Sequence, residues 1–313
     1  MPLARNKTVI IIAGPTAVGK TAVAIQLAKH FQTQIISADS RQCFTELTIG
    51  VARPSPEELQ QVAHHFIASH PIAIGSVQNE VTAVTFEQYA LKIANNLFQQ
   101  HDIVIMVGGT GLYIKAFCEG LDMIPEIDPG IRQQVIQSYT EKGISWLQEQ
   151  LQEKDIEFYT TGEMQNPQRM MRALEVVLST GQSVLSFRKG KKATRNFNII
   201  KIGLELPKDE LHRNINTRVD KMMEAGLLDE VKQLIPFQHL NALQTVGYAE
   251  LFDYLDKKIS LEKAVEQIKI HTRQYAKRQM TWFKKDKEMQ WFFPAQIKEM
   301  IEWVTQRLPD RNT

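Results

Sequence analysis

Apolar residues fall into two alternating patterns over the first third of this chain. Short unbroken runs, Thr8-Val9-Ile10-Ile11-Ile12-Ala13, Gln34-Ile35-Ile36-Ser37-Ala38 and Ile103-Val104-Ile105-Met106-Val107, read as buried strands. Between them, the stretch from Thr21 and the stretch 86–98 carry apolar residues at helical spacing. Strand alternating with helix predicts an α/β fold, a parallel sheet flanked by helices with ligands at the carboxyl ends of its strands. At about residue 121 the pattern changes. Pro125, Asp128 and Pro129 break the chain, and helical spacing then runs over 131–141, 144–153 and 167–180 with no strand among them. A strand at 197–205 resumes the core, followed by helices at 208–224, 227–235, 247–257 and 260–285, with Trp291-Phe292-Phe293 as a last short strand. The expected organisation is a core in two parts, 1–120 and 196–313, with a helical insertion domain at 121–195.

The first strand runs into Gly14-Pro15-Thr16-Ala17-Val18-Gly19-Lys20-Thr21, which fits G-x-x-x-x-G-K-[ST] at every fixed position. Strand, glycine loop and helix in that order point loop amides and a helix N-terminus at one place, which suits a di- or triphosphate. Lys20 adds a full charge, and the Thr21 hydroxyl can ligate Mg²⁺. All eight residues are therefore candidate phosphate ligands, and the core is expected to be of the P-loop NTPase type. The next two strands also end in candidate segments. Asp39 opens Asp39-Ser40-Arg41-Gln42; its carboxylate can position metal-bound water, accept a proton from a nucleophile, or merely cap a turn. Arg41 and Gln42 are suited to a planar base. Gly108-Gly109-Thr110-Gly111 is expected to let a substrate approach the backbone closely.

Composition narrows the classes. The chain has 313 residues, 43% of them hydrophobic, enough for a sizeable core. Cys43 and Cys118 fit no metal spacing and no disulfide framework, no apolar run is long enough to span a membrane, and residues 1–7 lead directly into the first strand. A soluble cytoplasmic protein is expected, and with no coiled-coil pattern, a monomer. The net charge of +2 is unremarkable, but its distribution is not. Arg188, Lys189, Lys191, Lys192, Arg195 and Lys201 fall in one acid-free stretch, and Lys269, Arg273, Lys277, Arg278, Lys284 and Lys285 in another. Such stretches suit a phosphate backbone or a solvated face. Lys269, Arg273 and Lys277 share one helical face, with Tyr275, Trp282 and Phe283 interleaved, and Trp282 is expected in the core. Asn166 and Pro167 open a helix that places Gln168, Arg169 and Arg172 in exposed first turns; Met170 and Met171 read as core filler. Arg218 lies at the edge of the stripe Leu211, Ile215, Val219 and Met222.

Taken in order, the glycine loop, 37–42, Gly108-Gly109-Thr110-Gly111-Leu112-Tyr113, 166–176, Asn216-Thr217-Arg218-Val219, Gly226-Leu227 with Glu230-Val231, Val246-Gly247-Tyr248-Ala249-Glu250, and 272–279 with Thr281-Trp282 resemble the tRNA dimethylallyltransferase (isopentenyltransferase) family, over about residues 8–285. The resemblance implies transfer of a dimethylallyl group from dimethylallyl diphosphate to the exocyclic amine of the adenosine 3′ to the anticodon, with Mg²⁺ as cofactor. It implies a catalytic set of Asp39, Thr21 and Arg218, with Asp39 accepting the proton and the loop, Thr21-bound Mg²⁺ and Arg218 neutralising the leaving diphosphate. Contacts to tRNA would come from Asp39, Ser40, Arg41, Gln42, Thr110, Arg132, Gln168, Arg169, Met170, Met171, Arg172, Val246, Gly247, Tyr248, Arg273, Lys277 and Arg278. The chain departs from the family pattern at Cys43-Phe44, usually Val-Tyr, and at Val51 and Arg53, usually Thr and Lys. The chief alternative is a small-molecule or nucleotide kinase using ATP in the same loop. Prenylation of a free adenine nucleotide and a non-catalytic RNA-binding NTPase are the others.

Overall fold

Every residue of the first strand is buried, because helices cover both of its faces. The computed structural model describes residues 7–74, 77–188, 190 and 192–309. In chain order its elements are β1 (Thr8–Ala13), α1 (Lys20–His30), β2 (Ile35–Ala38), α2 (Pro56–Gln61), β3 (His64–His65), β4 (Ala73–Ile74), β5 (Val77–Gln78), α3 (Ala83–Leu97), β6 (Ile103–Gly108), α4 (Gly111–Glu119), α5 (Pro129–Lys154), α6 (Ile156–Thr161), α7 (Pro167–Thr180), β7 (Asn198–Leu204), α8 (Lys208–Glu224), α9 (Leu227–Gln233), α10 (Tyr248–Leu255), α11 (Leu261–Phe283), β8 (Gln290–Phe292) and α12 (Ile297–Thr305). Six strands form one sheet in the order β3-β2-β6-β1-β7-β8, parallel throughout. This is the expected α/β core.

Alternate residues of β1 serve opposite faces. Val9 and Ile11 pack with Phe86 and Ala90 of α3 and Phe117 of α4. Ile10 and Ile12 pack with Val23 and Leu27 of α1 and Met300 and Val304 of α12. Register then decides where the chemistry lies. Ala13 is level with Gly108 of β6 and Gly203 of β7, and Ala38 of β2 is level with Gly108. The chain therefore leaves the sheet at one edge in three places, at Gly14, Asp39 and Gly109.

The chain forms two compact units, Gly120–Ala193 and the sheet-bearing chain on either side of it. The Gly120–Ala193 unit is built from α5, α6 and α7 around Val135, Leu147, Leu151, Phe158, Leu174 and Val176. Its longest helix bends at Gly143, whose φ of 74° is not helical; the periodicity reads that bend as a gap between two helices. Asn166 caps α7 through the Arg169 amide, and Pro167 follows it in the first turn. Among the described residues, no helix is long and apolar enough to cross a membrane.

Candidate active site

Gly14 leaves β1 at φ 154°, and a Cβ there would stand 2.7 Å from the Leu204 carbonyl, so no other residue fits. The loop that follows curls around the first turn of α1. Lys20 turns back on it, its Nζ donating to the Pro15 carbonyl at 2.7 Å. Burial lowers the Lys20 pKa to about 7; the Arg218 guanidinium pushes the same way, and Asp39 opposes them. Arg218 reaches the loop from α8, with Nη1 3.3 Å from the Thr16 hydroxyl, and burial lowers its pKa as well. Two crowded cations in a desolvated corner are unfavourable alone and suit a polyanion between them. One loop donor is already used. The Thr16 amide donates to Gln279 Oε1 at 2.8 Å, and Gln279 Nε2 donates to the Gly109 carbonyl at 2.9 Å. Thr16 as a ligand is thus limited to its hydroxyl. Gln279, a buried amide of α11, joins two of the three strand ends, a role its place in the chain does not disclose.

Asp39 performs the turn-capping role with one oxygen: Oδ1 accepts from the amides of Arg41 at 2.9 Å and Gln42 at 3.2 Å. No partner for Oδ2 occurs among the described residues, and Asp39 borders a cavity of about 600 Å³. Thr16, Arg218, Ser40, Arg41 and Arg278 supply further polar lining, while Val219, Met222, Val246, Ala249 and Ile268 supply an apolar wall. One space therefore adjoins the cationic corner, a carboxylate and a greasy surface.

Several expected contacts do not survive the geometry. The Gln42 side chain is engaged within the protein: its Nε2 donates to the carbonyls of Val51 and Ala52 at 3.1 and 3.0 Å. The glycine run does not open a substrate path. A Cβ at Gly108 would meet the Ala38 carbonyl at 2.1 Å, at Gly109 the Gln279 amide at 2.3 Å, and at Gly111 the Trp282 indole at 2.2 Å, so these glycines admit the protein's own elements. Thr110 ties strand ends together, its hydroxyl accepting from the Ser40 amide at 3.1 Å. Tyr248 is 0% exposed and donates to Glu230 at 2.6 Å, so its side chain meets no RNA. Gly247 is buried; it and Val246 line the cavity. Met170 and Met171, 0% and 6% exposed, belong to the core of the Gly120–Ala193 unit and are likewise removed from the RNA contacts.

The basic stretches divide in the same way. Lys201 is buried against Asp286 and Glu288, and Arg195 holds Glu87 and the carbonyls of Ala116 and Phe117. Lys189 and Lys191 lie outside the described residues, and Arg188 is exposed. On α11, Lys269 pairs with Asp220 at 2.5 Å and Arg273 donates to Asn216 at 2.7 Å, so both reach toward α8. Lys284 pairs with Glu205. Lys277, Arg278 and Lys285 are exposed. Trp282 is 38% exposed, with its indole edge against Gly111 instead of in the core. In the other unit, Arg132 and Arg172 approach the buried Glu175 at 4.0 and 3.4 Å, and Arg169 pairs with Glu163. Gln168 and Arg169 are exposed in the first turn of α7.

A family model described as IPP transferase matches residues 42–286. A tRNA dimethylallyltransferase 1 of Bacteroides thetaiotaomicron is 43% identical over 297 residues, 95% of either chain. A tRNA dimethylallyltransferase 2 of Azobacteroides pseudotrichonymphae is 47% identical over 293 residues, 94% of each. Among solved structures, a tRNA isopentenylpyrophosphate transferase of Bacillus halodurans is 32% identical with a TM-score of 0.70, covering 97% of both chains. A eukaryotic dimethylallyltransferase described as acting on tRNA has a TM-score of 0.74 at 25% identity, over 96% of this chain and 77% of that one.

Proposed function

The chain belongs to the IPP transferase family of tRNA dimethylallyltransferases, and from that premise we propose the roles its residues play in tRNA prenylation. The donor is dimethylallyl diphosphate. Its diphosphate sits on the Gly14–Thr21 loop against Lys20 and Arg218, and its allylic group lies along Val219, Met222 and Ile268. The acceptor is the N6 amine of the adenosine 3′ to the anticodon, placed beside Asp39. The N6 nitrogen bonds to the allylic C1 as the C1–O bond breaks; that electron pair leaves with diphosphate, and Asp39 takes the N6 proton. Lys20 and Arg218 face the charge that grows on the leaving group. The observation carrying this reading is the cavity itself, where Arg218 and Thr16 at the edge of the cationic corner, an available carboxylate oxygen and an apolar wall share one lining. A kinase would have no use for the last of these.

Mg²⁺ fits as a partner of the diphosphate. No group of three His, Cys, Asp or Glu among the described residues could hold a metal by itself. The partly exposed Thr21 hydroxyl supplies one hard oxygen, and Mg²⁺ commonly completes its shell with water and phosphate oxygens. When bound, it would add positive charge opposite the leaving diphosphate. The protein is proposed to act in the cytoplasm as a monomer.

The test is transfer of label from dimethylallyl diphosphate in the presence of Mg²⁺ to unmodified tRNA or to AMP. Label is expected in tRNA alone. Label in AMP, or ATP-dependent phosphorylation of a small molecule without label in tRNA, would overturn the reading. Exposed Lys277 and Arg278 are proposed to face the tRNA backbone; within the Gly120–Ala193 unit, taken by itself, Arg132, Gln168, Arg169 and Arg172 are proposed as tRNA contacts. Lys277→Ala should weaken tRNA binding and reduce the slope of log affinity against log salt by about 1. An unchanged slope removes Lys277 from the interface.

A further inference from the structure

Glu230 belongs to a motif that the reaction described above leaves without a task. It lies on α9, outside the cavity lining, yet its carboxylate is the most heavily used acceptor near the site. Oε2 accepts from the amides of Thr48 at 3.2 Å and Ile49 at 2.7 Å, while Oε1 accepts from the Gly50 amide at 3.0 Å and the Tyr248 hydroxyl at 2.6 Å. Three consecutive backbone donors converging on one side chain make a small anion-binding concavity, here filled by the protein's own carboxylate. The Tyr248 ring seals it: a Cβ at Gly50 would stand 2.6 Å from that ring.

The chain held this way runs on into the site. Gly50, Val51 and Ala52 line the cavity. The Val51 and Ala52 carbonyls accept from the Gln42 side chain, and the Gln42 backbone N–H donates to Asp39 Oδ1. A continuous path thus leads from Glu230 through 48–52 and Gln42 to Asp39. We propose that Glu230 and Gln42 are positioning residues for the prenyl transfer, holding the 48–52 strap so that the Asp39 carboxylate is presented to the acceptor amine. This rests on the reading of Asp39 as proton acceptor. Gln42, on this account, serves the carboxylate beside it instead of the tRNA base.

Glu230→Gln keeps the size of the side chain but turns an amino group toward backbone N–H donors that need an acceptor. Misplacing a reacting group by about 1 Å can cost about 100-fold in rate. In single-turnover transfer at saturating dimethylallyl diphosphate and tRNA, Glu230→Gln and Gln42→Ala should each slow the reaction about 10- to 100-fold, with tRNA affinity within about twofold of the parent. Because both act on one strap, the double variant should be little slower than the slower single one. Tyr248→Phe, which removes one of four hydrogen bonds and keeps the ring, should lose less. A purely structural Glu230 would lower thermal stability and leave the saturated rate alone. That result, or single-variant losses that multiply in the double variant, overturns the proposal. Should Glu230→Gln fail to fold, Gln42→Ala alone decides: a rate at saturation lowered about 10- to 100-fold with unchanged tRNA affinity supports the proposal, and a parental rate overturns it. Asp39→Asn is run alongside. If it is inactive while Glu230→Gln is normal, the positioning claim alone fails; if Asp39→Asn transfers at the parental rate, the proton-acceptor reading fails first.

Discussion

Asp39→Asn is expected to slow prenyl transfer at saturating substrates about 10²- to 10⁴-fold, the range in which a positioned general base contributes. The replacement is chosen for what it preserves. The Asn side-chain oxygen can still accept from the Arg41 and Gln42 amides that Asp39 Oδ1 now holds, so the turn at the end of β2 is retained. What is lost is the second carboxylate oxygen, the one without a partner among the described residues and able to take a proton. Binding of tRNA should change by less than about threefold, because the acceptor contacts of a whole stem-loop are spread over many groups. Asp39→Ala removes the turn cap as well and should be at least as slow and less stable. The decisive measurement is single-turnover transfer beside tRNA affinity by filter binding. A parental rate excludes Asp39 as the proton acceptor. A large loss of tRNA binding with a normal rate at saturation would make it a recognition residue.

The core is legible because its signal is local. Six successive buried residues in β1, short and rich in β-branched side chains, suit a strand in a sheet covered on both sides, and the glycine loop follows directly. Shorter elements carry less. A two-residue strand such as β3 or β4 has no period to detect, and α2 buries none of its residues, so its only mark is the capping box of Ser55 and Glu58. By contrast, α12 does carry an amphipathic stripe, Ile297, Met300, Ile301 and Val304, beyond the last strand at which the pattern reading ends. The short α6, six residues between two longer helices, has too little length for a clear period, although Asp155 caps it through the Phe158 amide.

The site is legible as three strand ends and much less so as a set of contacts. Which residue meets substrate depends on partners hundreds of positions away. Gln279 answers Thr16 across 263 positions of chain, and Glu230 holds Gly50 across 180. Residue type alone misleads in both directions. Gln42 looks like a base reader by type, yet its side-chain Nε2 is taken up by carbonyls 51 and 52. The glycines after β6 look like an open approach and are instead the places where α11 and β2 come close. Adjacent residues on a helix usually diverge in burial, yet Met170 and Met171 are both inside, because α7 is covered on most of its circumference within its unit. Likewise, acid-free sequence is not an acid-free surface: the carboxylates that absorb Lys201, Lys269 and Lys284 come from other elements.

Lys20 should make diphosphate binding depend on pH in a way few lysines do. In the free protein, burial and Arg218 bring its pKa down to about 7 from 10.5. Between those values the folded chain binds fewer protons than the unfolded chain, so burying Lys20 costs stability in full below about pH 7 and that cost is relieved as pH rises through the window. Ligand binding has the opposite sign. Diphosphate favours the ammonium form, so above about pH 7 the lysine must take up a proton as the anion arrives, and affinity should fall toward tenfold per pH unit. Titration with inorganic pyrophosphate at pH 6.5 and 8.5, in two buffers of different ionisation enthalpy, measures that proton as the difference in uptake between the parent and Lys20→Met, which cancels the protons pyrophosphate itself exchanges. Lys20→Met should abolish the uptake and cost about 10²- to 10³-fold in transfer rate, as expected for removing one preorganised charge from a leaving group. It should also remove the rise of stability with pH between the two pKa values, since no lysine remains whose protonation favours the unfolded chain. An equally steep pH dependence of pyrophosphate binding in Lys20→Met would place the titrating group elsewhere. It would leave Arg218, whose guanidinium stays charged across this range, as the principal cation on the leaving group.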